Sequence, residues 1–316
     1  MGAFARAAAP RLAGTLVVML LVASIVFVIV RVAPGDPAAV MLGPDATAGD
    51  IAALRTRWGL DRPLGVQYVA FLWQLAQGDL GRSIFLDQPV LVAIGQRAEP
   101  TLLLTAIAIT VALAIALPLG VLAALHRGRW FDRAVMTLCM GGASVPTFWL
   151  GLVFIEIFAV KFGMLPASGY GAPGATLGYR LSHLVLPGVT LGLASAALIT
   201  RFTRAGMLDV LGEDYVRTAR AKGLGEPRVV LRHALVTAAL PILTVVGLTV
   251  AGLIAGAVVT ETVFGLPGVG SLVISAVLRR DYPVIQGTLL VVAMAYVLIN
   301  FAIDLLGLVL DPRLRA

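Results

Sequence analysis

Three carboxylates stand inside or beside long uncharged runs of this sequence: Glu156, Glu261 and Asp304. A charge at the centre of a bilayer costs about 2.5–3.5 kcal/mol on insertion scales. Acids in such positions are therefore candidates for gating, for lining a solute path or for proton relay. Depth weighs on each. Glu156 lies close before Lys161, near the outer end of its run, which favours an interfacial structural role. Glu261 closes its run on the outer side, where it either caps the GLPGVG turn that follows or faces a pathway. Asp304 lies near the inner surface, which favours a bond to a basic loop or a neighbouring helix over proton relay. The histidines, His126, His183 and His233, fall on separate loops without metal-ligand spacing. Neither HExxH nor GxSxG occurs. GLPGVGS at Gly265–Ser271 lacks the Lys that a phosphate loop places before its Ser, and reads as a turn into a re-entrant or interfacial segment. No catalytic set, metal site or nucleotide site is legible. The chain is expected to be no enzyme and to bind no cofactor, so any ATP would be bound by another chain.

The elements that carry these residues are set by composition. Hydrophobic residues make up 59% of the 316, and charged residues only 13%; an ordinary soluble domain has about 25% charged. This is the balance of an integral membrane protein. The net charge of +7 does not point to nucleic acid, because the cations cluster at the ends of apolar runs, where they orient a membrane protein. The single cysteine, Cys139, sits inside an apolar run, cannot form an intrachain disulfide and is expected to be packing.

A helical span needs roughly 20 apolar residues, and six runs qualify: Leu12–Val30, Thr101–Leu125, Ala134–Val160, Leu184–Thr200, Pro241–Thr260 and Val284–Ile303. The first is longer than the apolar core of a cleaved signal, about 7–15 residues, and reads as a retained span. The fourth is short and holds Pro187, so its ends are poorly defined. No internal repeat is visible. Arg6 and Arg11, Arg127 to Arg133, the loop after Arg201, and Arg313 with Arg315 all fall on one side of six spans. By the positive-inside rule that side is the cytoplasm, with both termini there. The expectation is an all-α polytopic membrane protein. Residues 1–99 hold the first span and a long extracytoplasmic loop. Residues 100–316 form a five-helix core with a cytoplasmic loop over 201–240. In the outer loop, Thr47–Trp58 is predicted as a short helix capped by Thr47 or Asp50, and Tyr68–Leu75 as another.

The cytoplasmic loop is the least ordinary stretch. DYVRTARAKGLGEPRVVLRHALVTAALP begins at Asp214 and is rich in Arg, Lys and small residues. Leu208–Lys222 fits an amphipathic helix with Leu208, Leu211, Tyr215 and Ala219 on one face. Glu213 and Arg217 stand i, i+4. Gly223 suits a helix C-terminal turn with positive φ, and Pro227 suits the first position of a second helix. A bend built from Ala219, Ala221 and Gly223 can enter a groove on another protein. A basic loop resting on anionic membrane lipid accounts for the cations, but not for the bend or its small residues.

The stretch resembles the cytoplasmic loop of ABC importer permease subunits, in their dipeptide/oligopeptide/nickel branch. The resemblance continues along the chain in PGDP at Pro34–Pro37, WGLDRPL at Trp58–Leu64, GDLGRS at Gly78–Ser83, ETVFGLPGVG at Glu261–Gly270, RRDYPVIQG at Arg279–Gly287 and DPRLR at Asp311–Arg315. It implies the type I importer permease fold in the bacterial cytoplasmic (inner) membrane. It also implies a second permease subunit, two cytoplasmic ATPases carrying ATP and Mg, and an extracytoplasmic substrate-binding protein. The loop would then be a coupling helix. Asp214, Tyr215, Val216, Arg217, Ala219, Arg220, Ala221, Lys222, Gly223 and Leu224 would meet an ATPase, with Arg217, Arg220 and Lys222 available to its acids. Glu261, Glu156 and Asp304 remain the gate or path candidates. The branch implies short peptides as cargo, with nickel or another small solute as the alternative. An ATP-independent carrier is the reading that a lone chain would favour.

Overall fold

The computed structural model describes residues 2–32, 37–43, 46–57, 59–172 and 174–310. Pro34–Asp36, Trp58 and Asp311–Arg315, parts of the motifs above, lie outside the described residues. Apart from one bridge between Arg82 and Pro89, regular structure among the described residues is helical. In chain order the helices are α1 (Gly2–Val32), α2 (Pro37–Leu42), α3 (Ala48–Arg57), α4 (Leu64–Ala76), α5 (Val90–Leu125), α6 (Trp130–Ser144) and α7 (Thr147–Phe154), the last continued by a π-helical turn over Ile155–Lys161. Then follow α8 (Leu177–Leu211), α9 (Asp214–Ala221), α10 (Glu226–Arg228) with a π-helical turn over Val229–Ala234, α11 (Leu235–Val263), α12 (Val269–Arg279) and α13 (Tyr282–Leu310). Helices α1, α5, α8, α11 and α13 are long and apolar enough to cross a membrane, and the bent pair of α6 and α7 makes a sixth when counted as one span.

That bend corrects the continuous third span expected over Ala134–Val160. α6 and α7 meet at 97°. Pro146 has no N–H to continue the ladder, and its ring forces the preceding residue out of the helical region. Val145 is accordingly extended, at φ −81° and ψ 124°. The other spans run past the edges that hydropathy marks. α8 starts with Thr176 as its cap, whose Oγ1 accepts from Tyr179 N at 3.3 Å, and passes through Pro187 to Leu211. Apolar runs mark what lies in lipid, whereas the helices continue into water.

Packing between α5 and α8 rests on missing side chains. A Cβ on Gly188 would meet Ile107 Cγ2 at 2.4 Å, one on Gly192 would meet Val111 Cβ at 2.7 Å, and one on Gly120 would meet Thr203 Cβ at 2.6 Å. In lipid there is no hydrophobic drive between helices, and small residues permit the close contact that holds them. Buried Leu104, Ala108, Leu184 and Leu191 fill the same seam toward its outer end. Cys139 is buried with Ala123, Val135 and Ala197.

The outer segment folds back on α1. Thr47 and Asp50 cap α3 reciprocally: Asp50 N donates to Thr47 Oγ1 at 3.2 Å, and Thr47 N to Asp50 Oδ2 at 3.3 Å. α4 packs Tyr68 and Phe71 against Phe27, and the Ser24 and Tyr68 hydroxyls lie 2.6 Å apart.

Candidate functional site

The basic loop is a compact unit. α8 ends at Leu211, and Gly212 and extended Glu213 separate it from α9. This corrects the single helix expected over Leu208–Lys222. Glu213 precedes the helix as its N-cap, so the expected Glu213–Arg217 pair does not form and Arg217 pairs with Asp214 instead. Both side chains of that pair are exposed, where such pairs contribute little. The break also rotates the apolar face. Val216 and Ala219 are buried against Val229, with Leu211 and Leu224 packed around them, while Tyr215 is exposed and its hydroxyl donates to Thr237 Oγ1 at 2.9 Å.

α9 ends in a Schellman turn. Gly223 has φ +80°; its N–H donates to Arg220 O at 2.9 Å, and Leu224 N donates to Ala219 O at 3.3 Å. A Cβ on Gly223 would meet nothing within 4 Å. The glycine is thus required by backbone conformation and faces open space. Arg220 reaches across the turn to Glu226 in two hydrogen bonds, of 3.1 and 2.7 Å, which hold its guanidinium above its ordinary pKa. Arg217, Ala221, Lys222 and Gly223 also face outward, beside exposed Asp214, Tyr215 and Thr218. A short helix end with small residues and cations around it can insert into an acidic cleft; it has no group for bond-making chemistry.

The three acids part company. Glu261 is fully buried. Its Oε1 accepts from Thr101 Oγ1 at 2.5 Å and its Oε2 from Ser271 N at 2.9 Å, while Val269 N donates to Thr101 Oγ1 at 2.9 Å. A carboxylate of α11 and a hydroxyl of α5 thus take up the free N–H groups that begin α12. Of the two sequence alternatives, the cap is the one this geometry fits. Gly268 and Gly270 leave room for the carboxylate and the α11 backbone: a Cβ on Gly268 would meet Glu261 Cδ at 2.2 Å, and one on Gly270 would meet Val258 Cα at 2.5 Å and Glu261 Oε2 at 2.9 Å. Glu156 is exposed and pairs with Lys161 at 3.6 Å. Asp304 lies in α13, and its side chain is outside the described residues. His126, His183 and His233 stay apart, and among the described residues no three His, Cys, Asp or Glu side chains gather as metal ligands.

Two buried acids carry more structure than sequence reading gave them. Asp281 accepts from Ser83 Oγ at 2.5 Å and from the N–H groups of Ile84 and Phe85, each at 3.3 Å, and so joins two distant motifs. Asp132 receives Arg204 in a two-pronged pair, Nε to Oδ1 at 2.5 Å and Nη2 to Oδ2 at 2.7 Å, and Gly128 N at 2.9 Å. That pair ties the first turn of α6 to α8 just ahead of the basic loop. Removing one partner of a buried pair leaves a stranded charge. Asp132→Ala is expected to cost about 3 kcal/mol and to shorten the half-life of the folded protein on heating in detergent. Asp132→Ala combined with Arg204→Met is expected to be milder than Asp132→Ala alone.

A groove of about 370 Å³ opens at the α6–α7 break, between the middles of α8 and α11. Thr147, Ser195, Thr249 and Gly252 line it with Leu191 and Leu248, without a charged side chain. Irregular backbone at membrane depth is tolerated only inside protein or beside a water-filled cavity. The break and the groove therefore belong together, and they offer neutral hydroxyls rather than the acids singled out from sequence. Sequence reading missed this groove; Pro146, a helix breaker inside the third apolar run, is the signal that could have marked it.

Comparison with known proteins accords with this geometry. A family model described as "Binding-protein-dependent transport system inner membrane component" matches residues 116–316, and the N-terminal model of the same membrane component matches residues 5–114. A probable peptide ABC transporter permease protein, y4tP of Sinorhizobium fredii, is 44% identical over 96% of this chain and 97% of its own length. The glutathione transport system permease protein GsiC of Salmonella typhimurium is 42% identical over the same shares. Among solved structures, a chain of the inward-facing MetNI methionine ABC transporter superposes with a TM-score of 0.59 at 20% identity, over 69% of this chain and 96% of that one.

Proposed function

This chain belongs to the family of binding-protein-dependent transport system inner membrane components, and from that premise we propose that it forms half of a path through which short peptides are imported. It is a multi-pass permease subunit of an ABC importer in the inner membrane. The carrying observation is near-complete alignment with two permeases whose named cargoes, peptide and glutathione, share the chemistry of amide-linked amino acids. The uncharged groove beside Thr147, Ser195 and Thr249 suits such cargo, since hydroxyls can bond peptide groups whatever the side chains.

A second permease subunit completes the path, a substrate-binding protein delivers the peptide outside, and two ATPases bind ATP and Mg inside. The exposed end of α9, from Arg217 to Gly223, enters a cleft on one ATPase. Tyr215 and Asp214 flank that contact, whereas Val216, Ala219 and Leu224 brace it from behind. Glu261 clasps α12 to α11 and α5 and stays out of the path.

The test begins with affinity purification of the tagged chain from its native membrane and mass spectrometry of what is retained. The recovered complex, reconstituted with its binding protein, is then offered labelled tripeptide or nickel. ATP-dependent tripeptide uptake is expected. Uptake of nickel but not peptide would overturn the cargo, and recovery of the chain alone under several mild detergents would overturn the assembly.

A further inference from the structure

A hollow of about 240 Å³ opens where the outer end of α1 meets α4 and the start of α13, and Arg31, Arg62, Gln67, Gln74 and Gln286 face it among apolar side chains. An apolar groove of about 280 Å³ adjoins it between the same three helices, walled by Met19, Ala23, Leu72, Leu75, Ala293 and Val297. Leu290 is common to both. Ala23 and Met19 lie two to three turns before Arg31 on α1, so the groove runs roughly 12–18 Å deeper than the hollow, toward the bilayer centre.

The guanidinium of Arg31 is held in place. Arg31 Nε donates to Gln67 Oε1 at 3.0 Å, and its guanidinium lies 4.5 Å from the Phe27 ring centre. Gln67 Nε2 donates to Leu60 O at 3.0 Å and to Arg62 O at 2.8 Å, which ties the backbone of Arg62 to the same residue. Among the described residues neither guanidinium is paired with a carboxylate. Asp79 also borders the hollow, but its Oδ1 accepts from Gly81 N at 2.9 Å.

α4 is apolar on two sides. Phe71, Leu72 and Leu75 pack on Ala23, Val26 and Leu290, while Leu64, Val69 and Trp73 are exposed by 64%, 66% and 67%. Gln67 and Gln74 form its one polar side, toward the hollow, and exposed apolar residues of this size belong against lipid or protein, which puts α4 in the outer leaflet and the two arginines at headgroup level.

We propose that this hollow and groove bind one anionic phospholipid, its phosphate between Arg31 and Arg62 and an acyl chain between α1, α4 and α13. Charge complementarity at the mouth selects the headgroup, and the apolar wall takes the chain. The lipid then fills the space between α1 and the core, a joint made among the described residues by apolar contact, the Arg31–Gln67 bond and the Ser24–Tyr68 hydroxyl pair.

The test is native mass spectrometry of the detergent-purified importer titrated with phosphatidylglycerol or phosphatidylcholine of the same chain length. One cation near an anionic surface changes binding roughly fivefold. The native protein is expected to retain phosphatidylglycerol at least that much better. Arg31→Gln and Arg62→Gln are each expected to remove most of the preference, and Ala293→Phe, which fills the groove, to weaken both lipids. Arg55→Gln, outside the hollow, is expected to change nothing. Equal retention of the two lipids, unchanged preference in either arginine variant, or displacement by soluble glycerol phosphate at the concentration of the lipid would overturn the proposal. Should Arg31→Gln fail to assemble, Arg31→Lys, which keeps the charge, and Arg62→Gln carry the same comparison.

Discussion

Valine in place of Gly223 is expected to abolish ATP-coupled uptake while the membrane helices stay assembled. The turn needs φ +80°, a conformation that costs an L-residue roughly 1–2 kcal/mol and a β-branched one more. That strain is local to the end of α9, because a new Cβ meets no neighbour within 4 Å. The added bulk instead projects where a partner would dock. Gly223→Asn separates the two effects, since Asn adopts the left-handed conformation more readily. Both variants are expected to lose at least about tenfold in uptake, equivalent to 1.4 kcal/mol of docking energy, with normal elution on size exclusion and persistent ATP hydrolysis. Wild-type uptake in Gly223→Asn would mean that the bend does not sit in a cleft.

Glu261→Ala is expected to destabilise the protein about as much as Asp132→Ala. It removes the acceptor of Thr101 Oγ1 and of Ser271 N in a site closed to water. Leaving buried donors unsatisfied costs about 1–3 kcal/mol for each group, so a loss on the order of 3 kcal/mol follows for the joint of α5, α11 and α12. Glu261→Gln keeps the volume and one acceptor oxygen and should fall between. The readout is the temperature at which half the protein remains monodisperse after heating. A Glu261→Ala protein as stable as the native one but unable to transport would place this carboxylate on the path after all.

What the sequence disclosed follows from how local each cause is. Gly223 and Pro227 announce their turn because φ and the missing N–H are properties of single residues. The six crossings are visible because burial in lipid needs a long uncharged run. The break at Pro146 was hidden by the same averaging, since the apolar residues on both sides of it merge into one run. Gly212 hid likewise, and with it the rotation that buries Val216 and leaves Tyr215 outside. Asp281 meets Ser83 across 198 positions and Asp132 meets Arg204 across 72, and nothing local specifies either partner. Glu261 was noticed for its charge, but its role depends on Thr101, 160 positions away.

The glycine-lined seam between α5 and α8 has a mechanical meaning. With Gly188, Gly192 and Gly120 closing the gap, the two helices behave as one girder, and Asp132 with Arg204 pins the start of α6 to its inner end. α8 alone is 35 residues, about 52 Å long at 1.5 Å per residue. The loop that begins at Gly212 is the handle of that lever. A tilt applied there about mid-membrane swings the outer end by a similar arc in the opposite direction, without any helix bending. If an ATPase docks on this loop, as proposed above, its pull on one face of the membrane opens or shuts the other.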